Sequence, residues 1–118
     1  MTDRLIYKIA PRALWVEAEL SGRFDGAPVD VADGFIHFST EAQMRETARR
    51  HFAGQDDLLL ITVDGERLGD KLKWEPSRGG DLFPHLYGPL FMARVVDVVP
   101  LPLGPEGHVF PVAGQEAS

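Results

Sequence analysis

Residues 33–40, with the sequence DGFIHFST, constrain the fold most because they predict a strand that runs directly into a helix. The alternation of side chains along a strand puts Phe35, His37 and Ser39 on one face, with His37 and Ser39 about 7 Å apart. The apolar residues Ile36 and Phe38 lie on the other face. Polar side chains set over buried apolar ones, beside a helix N-terminus, predict a functional site in this stretch.

Two main helices are predicted. The first covers residues 11–21 and ends at Gly22, which suits a left-handed cap. The second covers residues 41–52 and is preceded by a Thr-x-x-Gln capping box that starts at Thr40. Residues 23–32, between the helices, are rich in Asp, Gly and Pro and are predicted to form a loop.

Short apolar runs predict the strands. The strongest is residues 58–63, whose nearly continuous apolar sequence is typical of a strand covered on both faces. A loop is predicted at residues 76–84. The order of elements favours an α+β fold, with a mixed, mostly antiparallel sheet and two helices packed on it. The other predicted strands cover residues 5–9, 72–75, 91–99 and 109–110.

The length of 118 residues suits one domain, which we place at residues 1–104. Residues 105–118 are rich in Pro and Gly and are predicted to be a partly disordered tail. The sequence contains no apolar run of about 18 residues, so no membrane span is expected. The N-terminus does not follow a signal-peptide pattern, and we therefore expect a cytoplasmic protein. Nothing in the sequence indicates an oligomeric state.

Composition and motif spacing exclude several functions. The absence of cysteine excludes thiolate nucleophiles and zinc–thiolate sites, and a net charge of −6 argues against a duplex nucleic-acid partner. The chain has no Gly-rich dinucleotide or triphosphate motif and no Gly-x-Ser-x-Gly elbow. His37, His85 and Glu75 are the residue types of a two-histidine, one-carboxylate metal site, but their spacing does not support one, and no metal is expected.

The first candidate site residues are His37, Ser39 and Thr40. A histidine can act as a general base near neutral pH or hydrogen-bond a sugar hydroxyl, and a purely structural histidine is the alternative for His37. Ser39 shares its face and suits either a ligand contact or packing. Thr40 suits a helix cap, worth about 1 kcal/mol. The free amides of the helix that it begins could also receive a phosphate.

Three candidates follow later in the chain. Glu75 either lies on a solvated strand face or lines a cleft, where a carboxylate can stabilise positive charge on a sugar. His85 and Tyr87 share one side of a segment that Pro84 and Gly88 restrict. Such a segment presents side chains well, and a tyrosine ring there can stack on a flat base or simply cover the core.

Two basic residues are further candidates for ligand binding. Arg78 stands before two glycines and could reach a phosphate, although a surface arginine is the alternative. Lys8 and its neighbour Tyr7 lie on the first strand, and alternation lets only one of them face a cleft.

Residues 33–40, 72–75 (LKWE) and 83–88 (FPHLYG) together resemble the domain-of-unknown-function family 952. The resemblance extends over roughly residues 4–100. It implies a compact α+β fold similar to the ADP-ribosyltransferases, in which a split sheet opens onto a nucleotide-sized cleft. It implies no established reaction.

In ADP-ribosyltransferases a strand histidine holds the ribose of NAD and a glutamate stabilises the reacting sugar. His37 resembles the first residue, and Glu75 is the candidate for the second. The chain order of His37, Glu75 and Tyr87 departs from the His, Tyr, Glu order of those enzymes. The roles of Glu75 and Tyr87 are therefore left open.

Two functions follow from the resemblance. One is a group transferase acting on NAD or a related nucleotide-sugar, with NAD as substrate and no required cofactor. The other is a non-catalytic module that binds a small ligand or a protein through a degenerate site.

Overall fold

The structure is a computed structural model, and it describes residues 4–111 except for the side chain of Arg78. Three α-helices are formed among the described residues: α1 (Arg12–Ser21), α2 (Pro28–Asp33) and α3 (Glu41–His51). Short 3₁₀-helical segments cover Gly65–Lys71, which is interrupted at Gly69, and Arg78–Gly80 and Met92–Arg94.

The strands alternate with these helices and then follow one another in the second half of the chain. They are β1 (Leu5–Pro11), β2 (Arg23–Phe24), β3 (Ile36–His37), β4 (Leu58–Asp64), β5 (Leu72–Pro76), β6 (Leu82–Leu86), β7 (Leu90–Phe91), β8 (Val95–Leu101), β9 (Leu103–Gly104) and β10 (Gly107–His108).

The larger sheet has the strand order β1-β4-β8, and both pairings are antiparallel. Its central strand β4 is buried along almost its whole length, which the apolar run at residues 58–63 predicted. One face of β4 contributes Leu59, Ile61 and Val63 to one hydrophobic cluster, and the other face contributes Leu58 and Leu60 to a second. The two helices α1 and α3 contribute to different clusters, so the sheet is the layer between them.

A second sheet has the strand order β3-β6-β5 and is also antiparallel. It joins the first through a single bridge, in which the amides of Tyr7 and Ser39 each donate to the other's carbonyl at 2.8 Å. The α+β class is therefore confirmed, and all the strand pairings in the described part of the chain are antiparallel. Both residues of this bridge line a cavity.

The helix predictions at residues 11–21 and 41–52 are confirmed to within one residue at each end. Gly22 caps α1 in the left-handed conformation at φ 89°. The capping box of α3 is also confirmed, since the Thr40 hydroxyl accepts from the Gln43 amide and the Gln43 side chain accepts from the Thr40 amide.

The prediction of a loop at residues 23–32 was wrong. This segment holds β2 and most of α2, a helix that begins with Pro28 at its first position. The polar composition of this segment is typical of a loop. Asp30, however, makes its contacts in the interior of the protein rather than at its surface. Asp30 is only 1% exposed and accepts a 2.7 Å hydrogen bond from the amide of Ala27.

The loop predicted at residues 76–84 is shorter, because β6 begins at Leu82 and contains Pro84. Proline is tolerated inside this middle strand because its partner β3 ends at His37. Because β3 ends there, no strand pairing on that side needs an N–H from Pro84. The Pro84 carbonyl accepts a hydrogen bond from the amide of Phe38 at 3.0 Å.

The last predicted strands are displaced. β8 covers Val95–Leu101, after the turn Met92–Arg94, rather than residues 91–99. The final hairpin uses β9 and β10, ending at His108, so the strand predicted at residues 109–110 was wrong. The tail predicted to be partly disordered, residues 105–118, includes residues 112–118, which lie outside the described residues. None of the described helices is both long enough and apolar enough to cross a membrane.

Candidate functional site

A cavity of about 540 Å³ opens beside the bridge between the two sheets. Its walls come from β1, α2, the segment from β3 to α3, α3 itself and β6. Most of its lining is apolar, including Ile9, Phe38 and Phe83, and its polar groups come from a few side chains. Those polar side chains include Lys8, Asp33, His37, Ser39, Thr47 and His85.

Two histidines stand side by side at this cavity. His37 on β3 is paired in register with His85 on β6, and their ring centroids are 5.5 Å apart in an edge-to-face arrangement. His85 is buried, whereas about a third of the His37 side chain is exposed. Directly opposite positions on antiparallel strands place both side chains on the same face of the sheet. The two rings can therefore contact one ligand together.

His37 is held from behind by Asp30 of α2. The carboxylate Oδ1 of Asp30 lies 2.6 Å from His37 Nδ1 and accepts from the His37 amide at 3.1 Å. The ammonium group of Lys8 donates to the same carboxylate, at 3.0 Å to Oδ1 and 2.9 Å to Oδ2. Asp30 thus fixes a ring and an ammonium group at the inner wall of the cavity.

The charges in this group determine how its members titrate. Burial raises the pKa of Asp30, but hydrogen bonds and charge from His37, Lys8 and the Ala27 amide outweigh burial and lower that pKa to about 2. Burial also lowers the pKa of Lys8, against the opposing attraction of Asp30. Asp30 is consequently ionised throughout the physiological range.

The second ring nitrogen of His37 is also occupied. Its Nε2 lies 3.0 Å from Oδ2 of Asp33, the last residue of α2. A carboxylate accepts hydrogen bonds only, so His37 can donate to Asp30 and Asp33 together only as the imidazolium cation. The Asp33 side chain is about half exposed and lines the cavity.

His85 is oriented by Glu75 on the neighbouring strand β5. Glu75 Oε1 lies 2.7 Å from His85 Nδ1 and accepts a 2.8 Å hydrogen bond from the Tyr87 hydroxyl. Hydrogen bonds from His85 and then Tyr87 lower the pKa of Glu75, and the Glu75 carboxylate raises the pKa of Tyr87. Because the carboxylate holds the proton on Nδ1, the neutral His85 ring presents Nε2 as a proton acceptor.

Phe35 packs against all three rings of this group. Its ring stacks on His85 with centroids 4.1 Å apart, and it lies 4.6 Å from the ring of His37 and 5.1 Å from that of Tyr87. The alternation that placed Phe35 on the same face as His37 is confirmed by this contact. Phe35 therefore limits the rotation of both imidazoles.

Four of the predicted site residues line the cavity: Lys8, His37, Ser39 and His85. Ser39 also shares a 2.8 Å hydrogen bond with the Thr47 hydroxyl of α3. Tyr7 lines the cavity as well, so the expectation that only one of Tyr7 and Lys8 could face it was wrong. β1 is the edge strand of its sheet, and side chains of both its faces reach the cavity.

Three other predicted residues, Glu75, Tyr87 and Thr40, do not line the cavity. Glu75 and Tyr87 stand behind His85, and Thr40 is occupied as the cap of α3. Arg78 lies in the turn Arg78–Gly80, next to the cavity-lining residue Ser77, but its side chain is outside the described part of the structure. Glu75 thus contributes to the site by holding His85, and Tyr87 contributes by donating a hydrogen bond to Glu75.

Sequence reasoning missed Asp30 and the role of Asp33. Asp30 was placed in the predicted loop at residues 23–32, although Pro28 followed two residues later by Asp30 is a recognisable helix start. Asp33 was placed at the start of the strand predicted in residues 33–40 and was given no role. Nothing in the sequence pairs Asp30 with Lys8, which lies 22 residues away. In the described part of the chain no three potential metal-binding side chains converge.

Comparison with known proteins gives the family. The sequence matches the model of a family described as protein of unknown function (DUF952) over residues 9–98. The crystal structure of protein CC0527 from Caulobacter crescentus is similar, with 52% sequence identity, a TM-score of 0.86 and coverage of 88% of this chain and 91% of that chain.

The solution NMR structure of CC0527 from Caulobacter crescentus is also similar to this chain. It is 51% identical to this chain, with a TM-score of 0.81 and coverage of 90% of this chain and 91% of that chain. A comparison with curated proteins gave no match. Because the family model spans most of the sequence, this chain belongs to the family of proteins of unknown function designated DUF952.

Proposed function

We propose that the cavity binds NAD or a related nucleotide-sugar and that the protein transfers the sugar-nucleotide group, ADP-ribosyl in the case of NAD, to an acceptor. The observation that carries the proposal is the pair His37 and His85, each with Nδ1 held by a carboxylate and both lining one cavity of about 540 Å³. That volume lies within the range of small-molecule and cofactor sites.

His37 is the residue that would anchor the ribose, with Asp30 fixing its ring. His85 would take the proton of the acceptor, because Glu75 leaves Nε2 as its basic nitrogen. Glu75 then acts through His85 rather than on the sugar, as a positioning residue. This assignment gives Glu75 a role that does not depend on the order of residues in ADP-ribosyltransferases.

The transfer step balances without a further reactant. The bond between C1′ of the ribose and the nicotinamide nitrogen breaks, and its electron pair neutralises the positive charge of the ring. A bond forms between C1′ and the acceptor oxygen or nitrogen, and the acceptor proton moves to His85 Nε2. With water as acceptor the products are nicotinamide and ADP-ribose.

The experiment is to incubate the protein with NAD and follow nicotinamide and ADP-ribose by proton NMR. We expect release by the wild type and a loss of roughly 10²-fold or more in the rate for His85→Asn, the size typical of a general base. His108→Asn is the matched control, since His108 contacts the Gln55 carbonyl and does not line the cavity. No release above the buffer rate at millimolar NAD would contradict the transferase function.

A second candidate function is ligand binding without turnover. It is favoured by the internal partners of the polar groups: Lys8 is committed to Asp30, and His37 has a carboxylate at each nitrogen. Saturable NAD binding that the His37→Ala variant abolishes, with no nicotinamide release, would select this function over group transfer.

A further inference from the structure

The contact between His37 and Asp33 creates a paired donor and acceptor at the cavity wall. His37 Nε2 faces Asp33 Oδ2 at 3.0 Å, and both side chains line the cavity. Asp30 and Asp33 differ in exposure, since the Asp30 side chain is fully buried and that of Asp33 is half exposed. The inner carboxylate is therefore shielded from a ligand, and the outer one is accessible to it.

The chemistry of such a pair discriminates between ligand groups. A hydroxyl inserted between the two side chains can accept from His37 and donate to Asp33 at the same time. An oxygen of the pyrophosphate bridge of a dinucleotide can only accept at neutral pH, and between these two side chains it would face the negative charge of Asp33. The ammonium group of Lys8 does not offset that charge, because it contacts both oxygens of Asp30.

We propose that Asp33 is a specificity-determining residue that makes the His37 side of the cavity a sugar-hydroxyl site and excludes phosphate from it. This inference rests on the proposed function, because it assigns one part of a nucleotide-sugar to one part of the cavity. The hydroxyls of the ribose lie between His37 and Asp33, and the phosphates lie away from them.

The test compares the wild type with Asp33→Asn, using NAD and inorganic pyrophosphate as probes in separate NMR titrations. Asparagine keeps the size of the side chain and removes its charge. We expect the variant to bind NAD roughly tenfold more weakly, since a charge-assisted hydrogen bond to a hydroxyl is lost. We expect its affinity for pyrophosphate near His37 to rise roughly tenfold.

Asp97→Asn is the control, because Asp97 is an exposed carboxylate on β8 that does not line the cavity. It removes the same net charge and should change neither affinity. Spectra of each variant without ligand report whether its fold is kept.

The outcomes separate this inference from the function on which it rests. Opposite changes for the two probes in Asp33→Asn support it. If the wild type binds NAD but Asp33→Asn changes neither affinity, or changes both affinities in the same direction, the role of Asp33 is overturned. The proposed function then still stands. Failure of the wild type to bind NAD overturns the proposed function, and the hydroxyl site falls with it.

Discussion

His37 and His85 are directly opposed on antiparallel strands, with 5.5 Å between their ring centroids, yet each is held by a carboxylate from a different direction. Asp30 reaches His37 from a helix, and Glu75 reaches His85 from the next strand. Two imidazoles with separate carboxylate partners can take different roles, which a site that both anchors a sugar and accepts a proton requires.

Replacing Asp30 with asparagine is expected to destabilise the protein by about 3 kcal/mol, because the Lys8 ammonium group would remain buried without its counter-charge. Urea unfolding measures the change. The double variant Lys8→Met with Asp30→Asn should regain part of the loss, since neither buried charge remains. A double variant that is less stable than Asp30→Asn alone would contradict this account of the pair.

The lowered pKa of Asp30 predicts a loss of stability in acid. Its pKa is about 2 in the folded protein and about 3.9 when unfolded, so its contribution is complete above pH 4 and disappears as the pH falls through 2. The free energy of unfolding should drop by about 2 kcal/mol over this window from Asp30 alone. Denaturant titrations at several pH values should show that the free energy of unfolding drops less in Asp30→Asn than in the wild type. An equal drop in the two proteins would assign the acid sensitivity to other groups.

Glu75→Gln should lower the pKa of Tyr87. The Glu75 carboxylate accepts the hydroxyl proton of Tyr87 and so disfavours the tyrosinate, and the neutral amide would not. The ring signals of Tyr87, followed by NMR as the pH is raised, report the change. Glu66→Gln, an exposed carboxylate outside the cavity lining, is the control. If Tyr87 titrates identically in Glu75→Gln, the hydrogen bond is absent in solution.

Thr40→Ala is predicted to cost about 1 kcal/mol of stability without affecting NAD binding, because Thr40 caps α3 and does not line the cavity. Thermal unfolding and an NAD titration of the same sample check both parts. A normal stability with weakened NAD binding would mean that Thr40 serves the ligand rather than the helix.

The sequence predicted the elements that local signals determine. The capping box at Thr40, the glycine cap at Gly22 and the buried strand at residues 58–63 each depend on a few neighbouring residues, and each is confirmed. The alternation around His37 correctly placed Phe35 on its face and put Ser39 at the cavity.

The parts that failed depend on contacts between distant residues. Pro84 is compatible with a middle strand only because β3 is so short, and Asp30 resembles a loop residue until its partners Lys8 and His37 are known. Strand alternation places a side chain on a face, but it does not say which carboxylate will reach it. The sequence therefore predicted the two histidines as site residues, but it could not predict which carboxylates hold them.

The most direct test of the central claim is an NMR titration of the labelled protein with NAD, observing the backbone amides and the imidazole groups. Saturable shifts that include His37 and His85 and are lost in His37→Ala, with His108→Asn behaving as the wild type, are the predicted result. No shift at either histidine with millimolar NAD, in a protein that gives a folded spectrum, would contradict a nucleotide-sugar site in this cavity.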